Sequence, residues 1–76
     1  MKYILVMHDK WMGIQLETFD SKDELLQYLN ENEWKLIQTV NWNNLEQYTD
    51  SVAEYIAIKH DHIGRTTEAY LRVVKG

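Results

Sequence analysis

The sequence predicts an α+β fold, a mostly antiparallel sheet of four to five strands with one helix, at about residues 21–32, packed on one face, in the order ββαβββ. Three observations carry this. Segments whose apolar residues recur at every second position flank one segment whose apolar residues recur at helical spacing. Turns within the first and last pairs of extended segments are short enough to force antiparallel pairing. And 76 residues with no proline and no cysteine, 45% hydrophobic and 26% charged, suffice for one domain spanning residues 1–76 but not for two. Without cysteine there is no disulfide framework, zinc ribbon or thiol nucleophile, so packing holds the fold. No linker composition, low-complexity tract or internal repeat interrupts the chain.

Residues 2–8 are a compact apolar run containing Ile4 and Val6, the composition of a buried strand. Residues 12–19 alternate, with Met12, Ile14 and Leu16 on one face and Gly13, Gln15 and Glu17 on the other. Asp9, Lys10 and Trp11 between them suit a hairpin turn. Asp20, Ser21, Lys22, Asp23 and Glu24 then form a helix start. The Ser21 hydroxyl is placed to accept from the Glu24 amide while the Glu24 carboxylate reaches back to Ser21. Leu25, Leu26 and Leu29 share one helical stripe with Tyr28 at its border. Asp23 and Glu24 sit where the helix dipole favours anions, and Asn30 and Asn32 are stopping residues.

Residues 34–42 alternate again, with Trp34, Leu36, Val40 and Trp42 on one face, which predicts a strand. Residues 43–51 are polar and asparagine-rich, as in a long loop. A helical period through Leu45, Tyr48, Val52 and Tyr55 or Ile56, with an Asn44–Gln47 pair resembling a capping box, holds a second helix within residues 45–55 in reserve. Such a helix gives the order ββαβαβ or ββααββ. Residues 52–60 place Val52, Ile56 and Ile58 against Ala53, Tyr55 and Ala57, and residues 66–74 place Ala69, Leu71 and Val73 against Glu68, Tyr70 and Arg72. Residues 61–65, with Gly64, make the turn of a second hairpin.

The formal charge of −4 argues against a general grip on nucleic acid, which rests on Lys and Arg neutralising phosphates. It is unevenly spread: Glu17, Asp20, Asp23, Glu24, Glu31 and Glu33 against Lys22 leave residues 17–34 at −5. The apolar start at residues 3–7 is too short for a signal-peptide core or a membrane span, so a cytoplasmic protein is expected.

His60-Asp61-His62 is the one cluster resembling metal ligands, since residues two apart on a strand point the same way. Two hydrated turn histidines without a fixed third ligand make His60 and His62 weak candidates, and no cofactor is expected. Acid–base catalysis needs carboxylates or histidines whose surroundings push their pKa values apart. The pairs present, His8–Asp9 and Asp61 with its flanking histidines, fall at turns. With glycine only at Gly13, Gly64 and Gly76, there is no phosphate loop or nucleophile elbow, so the sequence predicts no enzyme.

Nine aromatic rings are more than so small a core can enclose, at about 150–250 Å² each. Trp34 is expected in the core, while Trp11, Trp42 and Tyr48 are candidate exposed anchors of an interface. The stretch Leu25-Leu26-Gln27-Tyr28-Leu29-Asn30-Glu31-Asn32-Glu33-Trp34-Lys35-Leu36-Ile37-Gln38-Thr39-Val40, with Tyr55-Ile56-Ala57-Ile58-Lys59 later, resembles a family of small uncharacterised bacterial and phage domains. Members carry a leucine-asparagine helix end followed by glycine-tryptophan-glutamate-leucine-valine opening a strand. Glu33 stands here where the family has glycine, and Lys35 where it has glutamate. The resemblance covers about half of the chain and implies a helix on an antiparallel sheet; it implies no activity.

The sequence therefore points to a non-enzymatic protein-binding module, of the phage or mobile-element accessory or inhibitor kind, that occludes a partner's surface. Its asparagine- and lysine-rich composition is typical of AT-rich genomes. Asp23, Glu24, Glu31 and Glu33 would meet basic groups of the partner, with Trp11, Trp42 and Tyr48 as anchors. The alternatives are a self-associating structural domain, a single-stranded nucleic-acid binder or a metal binder. Self-association would pair an exposed edge strand, read as residues 66–74, with its own copy. Nucleic-acid binding would use Tyr70 and Arg72 with Lys59, Arg65 and Lys75.

Overall fold

In the computed structural model, which describes residues 1–9, 12–49 and 54–75, five antiparallel strands form one sheet with an α-helix against one face. The strands are β1 (Lys2–Asp9), β2 (Gly13–Phe19), β3 (Lys35–Leu36), β4 (Glu54–His60) and β5 (Thr66–Val74), and helix α1 (Lys22–Glu31) lies between β2 and β3. The predicted order ββαβββ is the observed one. Trp11 and Lys10 of the first turn, and Val52 and Ala53 ahead of β4, lie outside the described residues.

Across the sheet the strands run β2-β1-β5-β4-β3. The expectation that residues 66–74 form an exposed edge is thereby overturned: β5 sits between β1 and β4 and pairs with both. Its alternating Ala69, Leu71 and Val73 are buried, as suits a strand covered by the core, and the edges fall to β2 and β3.

Helix α1 starts where its capping residues dictate. Ser21 is the N-cap, and its Oγ accepts from the Glu24 amide at 3.2 Å. The Glu24 carboxylate reaches one residue further back than expected, accepting from the Asp20 amide at 3.2 Å, while the Asp20 carboxylate pairs with Lys2. At the other end Asn32 is the C-cap, donating through Nδ2 to the Tyr28 carbonyl at 2.8 Å. The Trp34 amide donates to Leu29 at 2.9 Å and the Glu33 amide to Asn30 at 3.3 Å, the two bonds of a Schellman motif. Glu33 takes the left-handed conformation that closes it, with φ of 61°.

The core lies between α1, the segment after β3 and the inner faces of the strands. Leu5, Leu25, Leu29, Leu45, Ile56, Leu71 and Val73 are all under 2% exposed. Three local expectations change. The strand expected over residues 34–42 is only Lys35–Leu36: the chain then turns, with the Val40 amide donating to Ile37 and the Trp42 amide to Val40. Trp34, Leu36, Val40 and Trp42 still all pack inward, but the turns bring them there. Of the reserve helix within residues 45–55, the described residues form a 3₁₀ turn at Leu45–Tyr48, and residues 50–53 lie outside them. Asn44 leads it without a side-chain cap bond, and Gln47 instead accepts from the Asn41 amide group at 3.1 Å. In β4 a bulge between Tyr55 and Ala57 buries Ile56 and Ala57 together and moves Ile58 to the same side as Tyr55, breaking the expected alternation.

The second hairpin turn is as expected. Gly64 adopts φ of 87°, and Asp61 Oδ1 accepts from the amides of Ile63 at 3.0 Å and Arg65 at 2.8 Å.

Candidate functional site

The parity of β1 decides which side of the sheet each residue occupies. Tyr3, Leu5 and Met7 are buried beneath α1, so Ile4, Val6 and His8 point to the opposite face. In β2, Phe19, Glu17 and Gln15 lie opposite the buried residues of β1 and therefore on the helix side, where Phe19 packs on Tyr28 with ring centroids 5.2 Å apart. Ile14 and Leu16 lie opposite His8 and Val6 and are turned away from the helix. Ile14 is 66% exposed, Leu16 63% and the neighbouring Met12 68%.

Following the registers inward, Leu16 faces Val6, Val6 faces Tyr70 and Tyr70 faces Tyr55, so one apolar ladder crosses four strands on the open face. The Tyr55 and Tyr70 rings stack with centroids 5.4 Å apart and planes inclined by 35°. The Tyr70 hydroxyl donates to Glu68 at 3.2 Å, and partial desolvation, reinforced by the Glu68 charge, raises its pKa above the usual tyrosine value. The next ladder is mixed, with Ile14, His8, Glu68, Ile58 and Lys35 in line. Beside β3, Lys35, Gln38, Tyr55, Ile58 and His60 border an open groove on this edge.

On the helix side a concavity of about 370 Å³ lies where the end of α1 meets the second hairpin turn. Several of its polar groups are engaged within the fold. The Lys59 ammonium lies 5.8 Å from the centroid of the Trp34 ring, the Tyr28 hydroxyl donates to Met7 Sδ at 3.5 Å, and Arg65 Nε donates to Asp61 Oδ2 at 2.6 Å. Partial burial opposes ionisation of Asp61, but the Arg65 guanidinium and the two backbone amides outweigh it and hold its carboxyl below the usual value. Tyr28 is shifted upward by burial first and by Glu17 second.

The residues singled out from sequence are dispersed. Asp23 and Glu24 stand at the start of α1 and Glu31 and Glu33 at its end, all four exposed; Glu31 accepts from Gln27 at 3.0 Å. Trp42 and Tyr48 are half-buried against the core. The Trp42 indole N–H donates to the Ile37 carbonyl at 2.9 Å, and the Tyr48 hydroxyl accepts from the Asn41 amide at 3.0 Å. Trp11 lies outside the described residues. His60 and His62 are exposed, and His60 Nδ1 lies 3.1 Å from Thr66 Oγ1. Among the described residues no group of three or more His, Asp or Glu is placed to hold a metal ion, and no helix is long and apolar enough to cross a membrane. Tyr70 and Arg72 share the open face, but Lys59 lies on the other side against Trp34 and Arg65 turns to Asp61, so these basic residues are not gathered.

The ladder on the open face was not singled out from sequence. Its signal was the alternation of Met12, Ile14 and Leu16, which marks a strand without telling which face is covered. Comparisons with protein-family models, with curated proteins and with solved structures found no match for this chain.

Proposed function

We propose that this chain is a non-enzymatic protein-binding module whose partner docks on the open face of the sheet. The observation that carries the reading is the apolar ladder Leu16–Val6–Tyr70–Tyr55, flanked by Ile14, on a face that no helix covers among the described residues. Contiguous exposed apolar surface rimmed by polar groups is characteristic of interaction sites, and aromatic residues supply much of the binding energy in such interfaces.

A small acidic module of this kind suits an accessory or inhibitor protein that occludes a partner's surface. The exposed Asp23, Glu24, Glu31 and Glu33 then favour approach to a basic partner and repel acidic ones. The test is capture from the native host with the tagged wild-type protein and with an Ile14→Glu/Leu16→Glu variant. Both positions are exposed, so the variant should keep the wild-type circular dichroism while losing the captured protein. Undiminished capture by a folded variant would refute the assignment of the open face.

A further inference from the structure

We infer that the outer edge of β2 pairs with the β2 strand of a second copy of this chain, joining two five-stranded sheets into one. The inference rests on the preceding reading in taking the β2 side of the open face as an interaction surface, and it names the occupant of that side.

β2 is an edge strand with one neighbour, β1, among the described residues. A strand of seven residues, about 24 Å long, therefore presents its outer backbone donors and acceptors without a strand to receive them. Proteins usually protect such an edge with proline, lysine, a bulge or an inward-pointing charge. Of these devices β2 lacks proline, lysine and a bulge, and its single inward-pointing charge is Glu17 on the helix side. The chain contains no proline, Glu17 is the one charged residue of β2, and the β1–β2 register runs unbroken from Phe19 to Gly13.

The sequence of β2 is also complementary to itself. Two copies related by a two-fold axis perpendicular to the sheet pair antiparallel, and opposed residues must point to the same face. The register that uses all seven residues places the axis at Leu16. Leu16 then meets its own copy, Ile14 meets Thr18, Gln15 meets Glu17 and Gly13 meets Phe19. Leu16, Ile14 and Thr18 lie together on the open face, so the exposed aliphatic row closes on itself across the axis. No like charges oppose each other, and the Gln15 amide faces the Glu17 carboxylate. Shifting the axis one residue to Glu17 would set carboxylate against carboxylate. Both helices lie on the same side of the joined sheet, and the two apolar ladders become continuous on the other.

The test is mass in solution by sedimentation equilibrium across a wide concentration range. The wild-type protein should approach twice its 9.1 kDa monomer mass as concentration rises. Because each copy carries a charge of −4, added salt should shift the equilibrium further toward the dimer. Leu16→Lys and Leu16→Glu each place like charges at the axis on a side chain that is already exposed. Each variant alone should stay monomeric with unchanged circular dichroism, and an equimolar mixture of the two should recover the dimer. A wild-type protein that stays monomeric at the highest concentrations, a dimer that Leu16→Lys does not weaken, or a mixture that fails to reassociate overturns the inference. The two readings fail separately. A monomeric wild type whose host capture is still lost in the Ile14→Glu/Leu16→Glu variant defeats self-pairing alone, whereas charge-complementary dimerisation with undiminished capture defeats only the docking of another protein on the open face.

Discussion

Glu33 closes helix α1 in a conformation that suits glycine, and replacing it with glycine should stabilise the protein. Its φ of 61° places it in the left-handed region, at the position where the Schellman bonds from Trp34 to Leu29 and from Glu33 to Asn30 require it. A non-glycine L-residue there costs about 1–2 kcal/mol. Glycine removes that term but adds freedom to the unfolded chain, which offsets about 0.4–1 kcal/mol of the gain. The net expectation for Glu33→Gly is roughly 0.5–1 kcal/mol, or a rise in Tm of about 2–8 °C for a domain of this size. Glu33→Ala is the necessary control, because it removes the carboxylate from the negative end of the helix dipole while keeping the Cβ. Urea titrations followed by tryptophan fluorescence, with thermal melts alongside, measure both variants. If Glu33→Gly is no more stable than Glu33→Ala, the backbone conformation is not what limits stability here.

Leu29 is fully buried beneath the helix, and Leu29→Ala should lose about 2–5 kcal/mol. A domain of this size has only about 4–11 kcal/mol in total, so the urea midpoint should fall by a large fraction with the slope unchanged; a loss below about 1 kcal/mol would contradict its placement in the core. Asp61 has a depressed pKa, so its contribution to stability is present above the unfolded aspartate value of about 3.9 and disappears as pH falls through the lower folded value. Its carboxyl resonance should titrate below the usual aspartate range, together with the amides of Ile63 and Arg65; a midpoint at or above that range would refute the ion pair with Arg65.

What was legible in the sequence was local. Ser21 and Glu24 mark the helix start because capping is decided within four residues, and Gly64 with Asp61 marks the second turn for the same reason. Strand order is not local. Ala69, Leu71 and Val73 alternate as they would on a covered edge strand, and only pairing with both β1 and β4 makes β5 central. Period-two reasoning also assumes an unbroken pleat, which the bulge at Ile56 violates, and it reads the inward residues of 34–42 as a strand when turns at Ile37 and Val40 achieve the same burial. For the candidate site, the alternation through Ile14 and Leu16 was visible. Its direction depends on Phe19 facing Tyr3 under the helix, a contact between strands.

The distribution of rings explains why the open face is largely aliphatic at its edge. A ten-residue helix is about 15 Å long, too short to cover five strands about 4.8 Å apart by itself. The segment after β3 completes the cover with Val40, Trp42, Leu45 and Tyr48, and Trp34, Tyr28, Phe19 and Tyr3 pack on that same side. Bulky rings are thus gathered where one short helix leaves gaps, and the indole of Trp42 is fixed to the Ile37 carbonyl rather than turned to solvent. No helical segment among the described residues remains to cover the other face. That face is half-protected by the stacked Tyr55 and Tyr70 near its centre, and its shielding fails progressively toward β2, where Ile14 and Leu16 have no strand beyond them. The same economy that closes the core on one side therefore concentrates the exposed apolar surface at one edge of the other, which is why the proposed association through β2 and the proposed docking across the open face draw on neighbouring residues.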